Sequence, residues 1–318
     1  SVLQENLAHG LSIVARAVSP RSTLPVLANI LVATDEGRLR LSATNLELGI
    51  TCWIGAKIEE EGSTTVPART FTDLVSTLPP DRMDMSLNVR TQTLNVRSST
   101  SNTDIKCIDA QEFPPMPVPD LGEAILINVS DLKEMIQQVV FAASSDEARP
   151  VLTGVYLTAQ DNRITMQAAD GFRLSVRHAE LSSPVSPPVK AIIPARALSE
   201  LGRVAGDQEE PIEMIITPSR NQILFHLTST DLVSQLIDGN FPDYNQIVPK
   251  NHTTRTLVST QELLKAVKVA FLFARDAANI IRLHVVPGSE LTPGCVSVAA
   301  NSAELGDNVS ELDVTGIS

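Results

Sequence analysis

The feature that most constrains this chain is that its first and middle parts repeat each other at a nearly constant distance. Residues 66–69 (VPAR) return as residues 193–196 (IPAR), with the two prolines 127 residues apart, and apolar residues at helical spacing follow each copy. Both copies predict a strand that ends at the proline, followed by a short amphipathic helix. A Phe-Pro pair after an apolar strand also recurs, at Phe113 and Phe241, 128 residues apart. A period of this length indicates duplicated domains rather than the short units of a solenoid.

Strand patterns recur in the same order. Residues 29–45 and 154–170 each show an apolar strand, a polar turn containing Asp, and a second strand in which apolar and polar residues alternate. Leu39 and Ile164 occupy equivalent places, 125 residues apart. Such alternation is typical of half-buried strands. Each copy is therefore predicted to contain a helix, strands, a short helix and more strands, which is an α+β fold with antiparallel sheets and helices on one face.

An amphipathic helix is predicted to open each of three copies. The third helix is expected to begin at a capping box in residues 259–262 (STQE), where the serine side chain caps the first turn. Apolar residues at helical spacing define the predicted core faces. These are Leu3, Leu7, Leu11 and Val14 in the first helix, Leu132, Met135, Ile136 and Val139 in the second, and Leu263, Leu264, Val267, Ala270 and Phe271 in the third.

The third copy is expected to be incomplete. Its second strand places Val296 132 residues after Ile164. At that offset its Pro-Ala-Arg turn is expected near position 326 and its Phe-Pro equivalent near position 374, whereas the printed sequence stops at Ser318. The third copy is thus predicted to lack roughly 56 residues. The predicted domains are residues 1–119, 120–249 and, as a partial domain, 250–318, with prolines 114, 115, 117 and 119 forming the first linker.

Charge and motifs argue against several classes of protein. The net charge is −12, without the basic signature of a freely exposed nucleic-acid-binding surface. The three cysteines are widely spaced, and this pattern predicts reduced thiols and no zinc site. The sequence shows no secretory signal and no apolar run long enough to cross a bilayer. A cytoplasmic protein without metal or cofactor is expected.

Catalytic motifs are also missing from the sequence. HExxH, GxSxG and Gly-rich phosphate loops do not occur. An enzyme using residues such as Ser145, His178 and Asp170 is the alternative class, but no spacing argument joins these three residues. The sequence therefore predicts a protein that is not an enzyme.

Six segments resemble the β subunit of bacterial DNA polymerase III, the β sliding clamp family. The resemblance covers essentially the whole chain. The segments are residues 21–27 (RSTLPVL), 44–47 (TNLE), 65–69 (TVPAR), 169–174 (ADGFRL), 239–244 (GNFPDY) and 312–314 (LDV).

The resemblance implies a head-to-tail homodimer with three similar domains per subunit, in which helices line a central hole and an outer belt of sheets closes the ring. Such a ring encircles duplex DNA and tethers the replicative polymerase, the clamp loader and repair proteins. A heterologous contact whose rotation closes gives a finite ring. The implied function also accounts for the acidic charge, because a clamp that slides must not hold phosphates tightly. An acidic exterior with a few basic residues facing the hole repels DNA elsewhere and focuses positive potential inside.

The resemblance also implies a pocket between the second and third domains for a short peptide motif of partner proteins. The family often has His where Phe172 stands and Arg where Gln246 stands, so motif preference is expected to differ. Part of the family's pocket comes from an extreme C-terminal tail that the printed sequence does not contain. The matching residues are Leu152, Ala169, Gly171, Phe172, Arg173, Leu174, Pro242, Gln246 and Ile247.

DNA contacts are expected from basic residues at recurring positions. Arg21 and Arg196 match positions that the family uses near DNA, Arg149 is adjacent to another, and Arg69 is added because it is the repeat equivalent of Arg196. Further basic residues lie on the opening helices of the three copies. They are Arg16, Lys133, Lys265 and Lys268.

At the subunit contact, the resemblance implies that the strand of residues 103–108, with Thr103 and Ile105, meets Phe271 and Leu272 of the neighbouring subunit. An exposed strand edge and an apolar helix face suit such an interface. The open alternative is that Phe271 and Leu272 belong to the core of their own domain. A further alternative is a truncated clamp-like chain that closes no ring and acts only as a protein-binding module.

Overall fold

The structure is a computed structural model that describes residues 1–117, 124–219, 221–244, 248–276, 278–288, 294–314 and 316–317. These residues form two compact units, Ser1–Phe241 and Pro242–Ser318. All of the pairings between the described strands are antiparallel, and helices pack against the sheets. The predicted α+β class is therefore confirmed.

The first copy contains a four-stranded sheet, part of a larger sheet and two helices. Its helices are α1 (Gln4–Val14) and α2 (Ala68–Thr77). Its strands are β1 (Val2–Leu3), β2 (Asn29–Asp35), β3 (Arg38–Thr44), β4 (Leu48–Gly55), β5 (Ser63–Pro67), β6 (Arg82–Asn88), β7 (Thr93–Arg97) and β8 (Asn102–Lys106). The four-stranded sheet has the order β1-β6-β7-β8.

The second copy also has two helices, and its strands form a two-stranded sheet and part of the larger sheet. Its helices are α3 (Val129–Val139) and α4 (Ala195–Val204). Its strands are β9 (Ile125–Ile127), β10 (Gly154–Ala169), β11 (Leu174–Pro194), β12 (Ile212–Ile216), β13 (Gln222–His226) and β14 (Thr230–Gln235). As predicted, the strand before each short helix ends at a proline, β5 at Pro67 and β11 at Pro194.

The two copies share one continuous sheet. Eight strands lie in the order β5-β2-β3-β4-β14-β13-β12-β9, and the pairing of β4 with β14 joins the first copy to the second. Leu232 of β14 pairs with Ile50 of β4, and both are fully buried. The repeat predicts two similar folds but does not predict that their edge strands pair.

The turns of the two equivalent strand pairs differ. Glu36 and Gly37 both have positive φ between β2 and β3, the geometry of a tight hairpin turn, as the sequence predicts. In the second copy the corresponding polar residues lie within β10, where the register with β11 shifts on both sides of Asp161. Asp161 itself has a φ of +49°, so the irregularity is local to the residue that takes the left-handed conformation.

The predicted core faces of the first two opening helices are mostly confirmed. Leu7, Leu11 and Val14 of α1 are buried, as are all four predicted residues of α3. The prediction is wrong for Leu3, which precedes α1 in β1 and is exposed. Alternating side chains of a strand point to opposite faces, so Val2 is buried there while Leu3 faces away.

The second unit contains one helix and two small sheets. Strands β16 (Arg282–Val286), β17 (Cys295–Ser302) and β18 (Gly306–Asp313) form a meander, and β15 (Thr256–Leu257) pairs with β19 (Gly316–Ile317). Helix α5 (Thr260–Ala274) packs on β17 and β18. The serine half of the predicted capping box is confirmed, because the Ser259 Oγ accepts a hydrogen bond from the Glu262 N–H at 3.5 Å.

The predicted core face of α5 is only partly correct. Leu263 and Val267 pack against the core as expected, and Ala270 is buried. Leu264 and Phe271, in contrast, are exposed. The buried positions of α5 carry alanines, at 266, 270 and 274, on the helix that packs against β17 and β18.

Candidate functional sites

The turn between β10 and β11 holds three of the nine predicted peptide-contacting residues, Gly171, Phe172 and Arg173, in a defined shape. Asp170 accepts hydrogen bonds from the backbone N–H groups of Phe172 and Arg173 at 2.9 and 3.0 Å, and from the Arg173 Nε at 2.9 Å. These backbone hydrogen bonds, with the Arg173 guanidinium, lower the pKa of Asp170. Gly171 has a φ of +95°, which side-chain-bearing residues rarely adopt. The Asp-Gly pair therefore fixes this turn.

An exposed aromatic side chain stands at the tip of this turn. Phe172 is 98% exposed. Behind it, the Arg173 guanidinium lies 5.5 Å from the ring centre of Phe141, which is also exposed.

A second segment lies beside the turn. The Arg149 Nε donates a hydrogen bond to the Asp146 carboxylate at 3.0 Å. The Arg149 Nη1 lies close to Gly171, 3.4 Å from the position that a Cβ atom would occupy there. Leu152 follows within the 3₁₀ turn Pro150–Thr153 and is half-buried. The structure thus brings Arg149, predicted for DNA, next to residues predicted for the peptide.

The other predicted peptide contacts differ in their setting. Leu174, at the start of β11, is half-buried, whereas Ala169, at the end of β10, is buried in the first unit. Pro242 belongs to the second unit. Gln246 and Ile247 lie outside the described residues.

The predicted DNA contacts are all on the surface. Arg69 and Arg196 are each the second residue of a short helix, α2 and α4, so the repeat places them equivalently. Arg69 lies 3.8 Å from Asp73 in an exposed i,i+4 pair, which holds it only weakly. Arg21 is exposed in the loop after α1, and within the described residues neither Arg21 nor Arg196 makes an ion pair.

A buried carboxylate that the sequence analysis missed joins the two copies. Glu200 of α4 lies 3.2 Å from the Arg16 Nη1, just after α1, and 2.8 Å from the Arg203 Nη1. The only signal in the sequence is the i,i+3 spacing of Glu200 and Arg203, which is too common to be specific. The partner Arg16 is 184 residues away and could not be predicted.

The predicted subunit-contact residues fall on two different units. Strand β8, with Thr103 and Ile105, is an edge of the four-stranded sheet, where Ile105 packs inward and Thr103 is half-buried. On α5, Phe271 is 48% exposed and Leu272 is 52% exposed. Neither belongs to the core of the second unit as described, so the alternative that they are core residues is not supported.

The residues of the alternative enzyme do not form a site. Among the described residues, no hydrogen bond joins Ser145, His178 and Asp170, and Asp170 is held by Arg173. His178 lines an open cavity of about 980 Å³, together with Arg163, Arg177 and others, but neither Ser145 nor Asp170 lines it. No group of three potential metal ligands occurs in the part of the chain that the structure describes.

None of the described helices has the length and apolar character needed to span a membrane.

Comparison with known proteins identifies relatives along the whole chain. A family model of the DNA polymerase III beta subunit N-terminal domain matches residues 1–117, and a model of its central domain matches residues 126–243. The beta sliding clamp of Bacillus subtilis is 31% identical over 98% of this chain and 83% of its own length. That of Staphylococcus epidermidis is 33% identical over 95% of this chain and 80% of its own length.

Solved structures show the same likeness. The crystal structure of the Bacillus subtilis sliding clamp has a TM-score of 0.92 at 29% identity, covering 100% of this chain and 84% of that one. The Pseudomonas aeruginosa clamp bound to griselimycin has a TM-score of 0.88 at 26% identity, covering 99% of this chain and 84% of that one.

A duplicated fold of antiparallel sheets and packed helices, matched along its length by these clamps, defines a DNA sliding clamp, a processivity factor of replication. The chain belongs to the beta sliding clamps, the family of the β subunit of bacterial DNA polymerase III.

Proposed function

We propose that this clamp acts as a homodimeric ring whose helices face the enclosed duplex and whose outer surface tethers the replicative polymerase, the clamp loader and other motif-bearing proteins. The observation that carries the proposal is the equivalent placement of Arg69 and Arg196 at the starts of α2 and α4. In a pseudo-symmetric ring, equivalent positions face the same way. Arg21 and Arg149 add to this DNA-facing set.

The proposed subunit contact pairs the open edge of β8 with the exposed apolar face of α5. An edge strand presents unpaired backbone groups that can pair with another chain, and Phe271 and Leu272 supply apolar surface. Thr103 and Ile105 would contribute through the strand. The ring catalyses no reaction in this proposal and acts in the cytoplasm, where the bacterial chromosome is replicated.

The proposed peptide site in the first unit consists of Leu152, Gly171, Phe172, Arg173 and Leu174 on the turn described above. Ala169 would contribute as buried support, and Pro242, Gln246 and Ile247 stay predictions that rest on the resemblance. The apolar ring of Phe172 suits an apolar residue of the partner motif. Because the family often has His here, an altered motif preference is expected.

The ring is tested by topology. The clamp is loaded by a clamp loader onto nicked circular DNA, and the protein retained on the DNA is measured by gel filtration before and after the circle is cut. A ring is retained on the circle and lost from the linear form, because a topological link needs no tight phosphate contacts. Equal retention on both forms would contradict the proposal and favour ordinary surface binding, and no retention on either would favour the open, protein-binding alternative.

Solution mass gives the second measurement. Light scattering combined with mass spectrometry of the intact subunit is expected to give twice the subunit mass. A monomer at all concentrations would exclude a dimeric ring.

A further inference from the structure

The Glu200 ion-pair network carries charge where the two copies meet. The Glu200 side chain is 11% exposed and lies between Arg16 of the first copy and Arg203 of the second. With two guanidinium groups and one carboxylate, the group carries a net charge of about +1. This group is called the cross-copy triad below.

The triad lies on the same side of α4 as Arg196, a proposed DNA contact. Arg196 is four residues before Glu200, and Arg203 is three residues after it. Residues at these spacings lie on one side of a helix. The triad and Arg196 therefore share one helical face.

Both arginines keep donors available. A guanidinium has five N–H donors, and the described hydrogen bonds of Arg16 and of Arg203 are one each, to Glu200. Their side chains are 38% and 59% exposed, respectively. Phosphate oxygens could therefore bind these side chains without breaking the ion pairs.

We propose that Glu200 weakens the hold of this helical face on DNA by neutralising part of the charge of Arg16 and Arg203. The ligand is the phosphate backbone of duplex DNA. The inference rests on the proposed function, in which α4 faces the enclosed duplex. Each phosphate that a cation neutralises adds a salt-dependent hold. A carboxylate shared by two arginines reduces this hold but keeps both side chains in place, as a sliding ring requires.

The test is the salt dependence of equilibrium binding to a short fluorescein-labelled duplex, measured by anisotropy with the full-length dimer. Glu200→Gln keeps the shape and an acceptor oxygen but removes the negative charge. We expect the slope of log K against log salt to steepen by about 0.9, the value for one additional phosphate contact. Between about 50 and 200 mM salt, the variant would lose about threefold more affinity than the wild type.

Two further variants separate charge from structure. Arg203→Gln is expected to make the slope shallower, and the double variant Glu200→Gln/Arg203→Gln to return it toward the wild-type value, because the net charge is then restored. Asp84→Asn is the matched control. Asp84 is an exposed carboxylate paired with Arg82 on β6, so this variant changes the net charge equally at a different surface.

Each outcome is decisive. A steeper slope for Glu200→Gln with an unchanged slope for Asp84→Asn supports the inference. An unchanged or shallower slope for Glu200→Gln overturns it, while a shallower slope for Arg196→Ala in the same assay leaves the proposed DNA-facing helices standing. If Arg196→Ala and Arg21→Ala also leave the slope unchanged, the DNA-facing helices and the inference fail together.

Discussion

At the residue scale, a local motif fixes the backbone conformation of the turn of residues 170–173. Asp170 binds two backbone N–H groups and the Arg173 side chain, while Gly171 takes the conformation that other residues disfavour. This arrangement leaves Phe172 in solvent instead of in the core. We propose that this exposed ring contacts partner peptides.

Replacing Phe172 by alanine is expected to weaken peptide binding without affecting stability. A ring that is 98% exposed contributes little to the core, so unfolding by denaturant should change by less than about 0.5 kcal/mol. Loss of an aromatic anchor should reduce the affinity for a fluorescent clamp-binding peptide by about tenfold or more. Val176→Ala, at another exposed apolar position on β11, is the control and should bind normally. Equal effects of the two variants would refute a specific role for Phe172.

The acid sensitivity of the turn follows from the lowered pKa of Asp170. A carboxyl group whose pKa is lower in the folded state stabilises that state above its unfolded pKa of about 3.9, and this stabilisation is lost as the pH falls through the folded value. The protection of the Phe172 and Arg173 amides, relative to the intrinsic exchange rate at each pH, is therefore expected to fall on acidification only below about pH 4. In Asp170→Asn these amides should exchange faster already at neutral pH. An unchanged exchange rate in that variant would mean that Asp170 does not hold the turn.

At the element scale, the pairing of β4 with β14 joins the first two copies in one continuous sheet. The joint buries Leu232 and Ile50 completely. It also encloses Cys52, where burial raises the pKa of the thiol against the opposing hydrogen bond with Thr230. A buried thiol with a raised pKa is a poor nucleophile because the thiolate is the reactive form.

Leu232→Ala is expected to destabilise both copies together. Deleting a fully buried leucine side chain lowers the free energy of unfolding by about 2–5 kcal/mol. Because the sheet is shared, we expect β2 and β3 to be destabilised as well as β12 and β13. Hydrogen exchange of the amides in these strands measures the destabilisation, and faster alkylation of Cys52 reports separation of β4 from β14. Leu126→Ala, at the exposed edge strand β9, should change stability little. Destabilisation confined to β12 and β13 would show that the two copies unfold independently.

At the scale of the whole molecule, the proposed closed assembly would cover exposed apolar residues of α5. Leu272 is 52% exposed on α5, a position that a self-sufficient unit would rarely leave apolar beside Phe271. The proposed partner surface is the edge of β8. The acidic net charge of −12 fits this assembly, because it limits nonspecific binding of DNA to the outer surface.

Leu272→Arg is expected to shift the dimer toward monomer. A charge buried without a partner at an interface should weaken association by at least about 2 kcal/mol, or about 30-fold in Kd. Sedimentation over a range of concentrations measures the change. Leu283→Arg, at an exposed apolar position of β16, is the matched control and should remain dimeric. A dimer of unaltered strength in Leu272→Arg would place the subunit contact elsewhere.

The sequence by itself determined the repeat and the local structure that follows from short-range chemistry. The prolines that end β5 and β11, the Ser259 cap and the buried spacing of α3 all depend on residues within a few positions of each other. Such features are encoded locally, because backbone geometry and helical periodicity act over one or two turns.

Only the tertiary structure decided which distant elements meet. The pairing of β4 with β14, the alanine face of α5, the outward side chain of Leu3 and the contact of Arg16 with Glu200 depend on packing between residues far apart in sequence. Many pairings satisfy the same apolar pattern, and the sequence alone does not rank them. The pairing that forms is the one in which the packed surfaces are complementary in shape and charge, and these surfaces exist only in the folded chain.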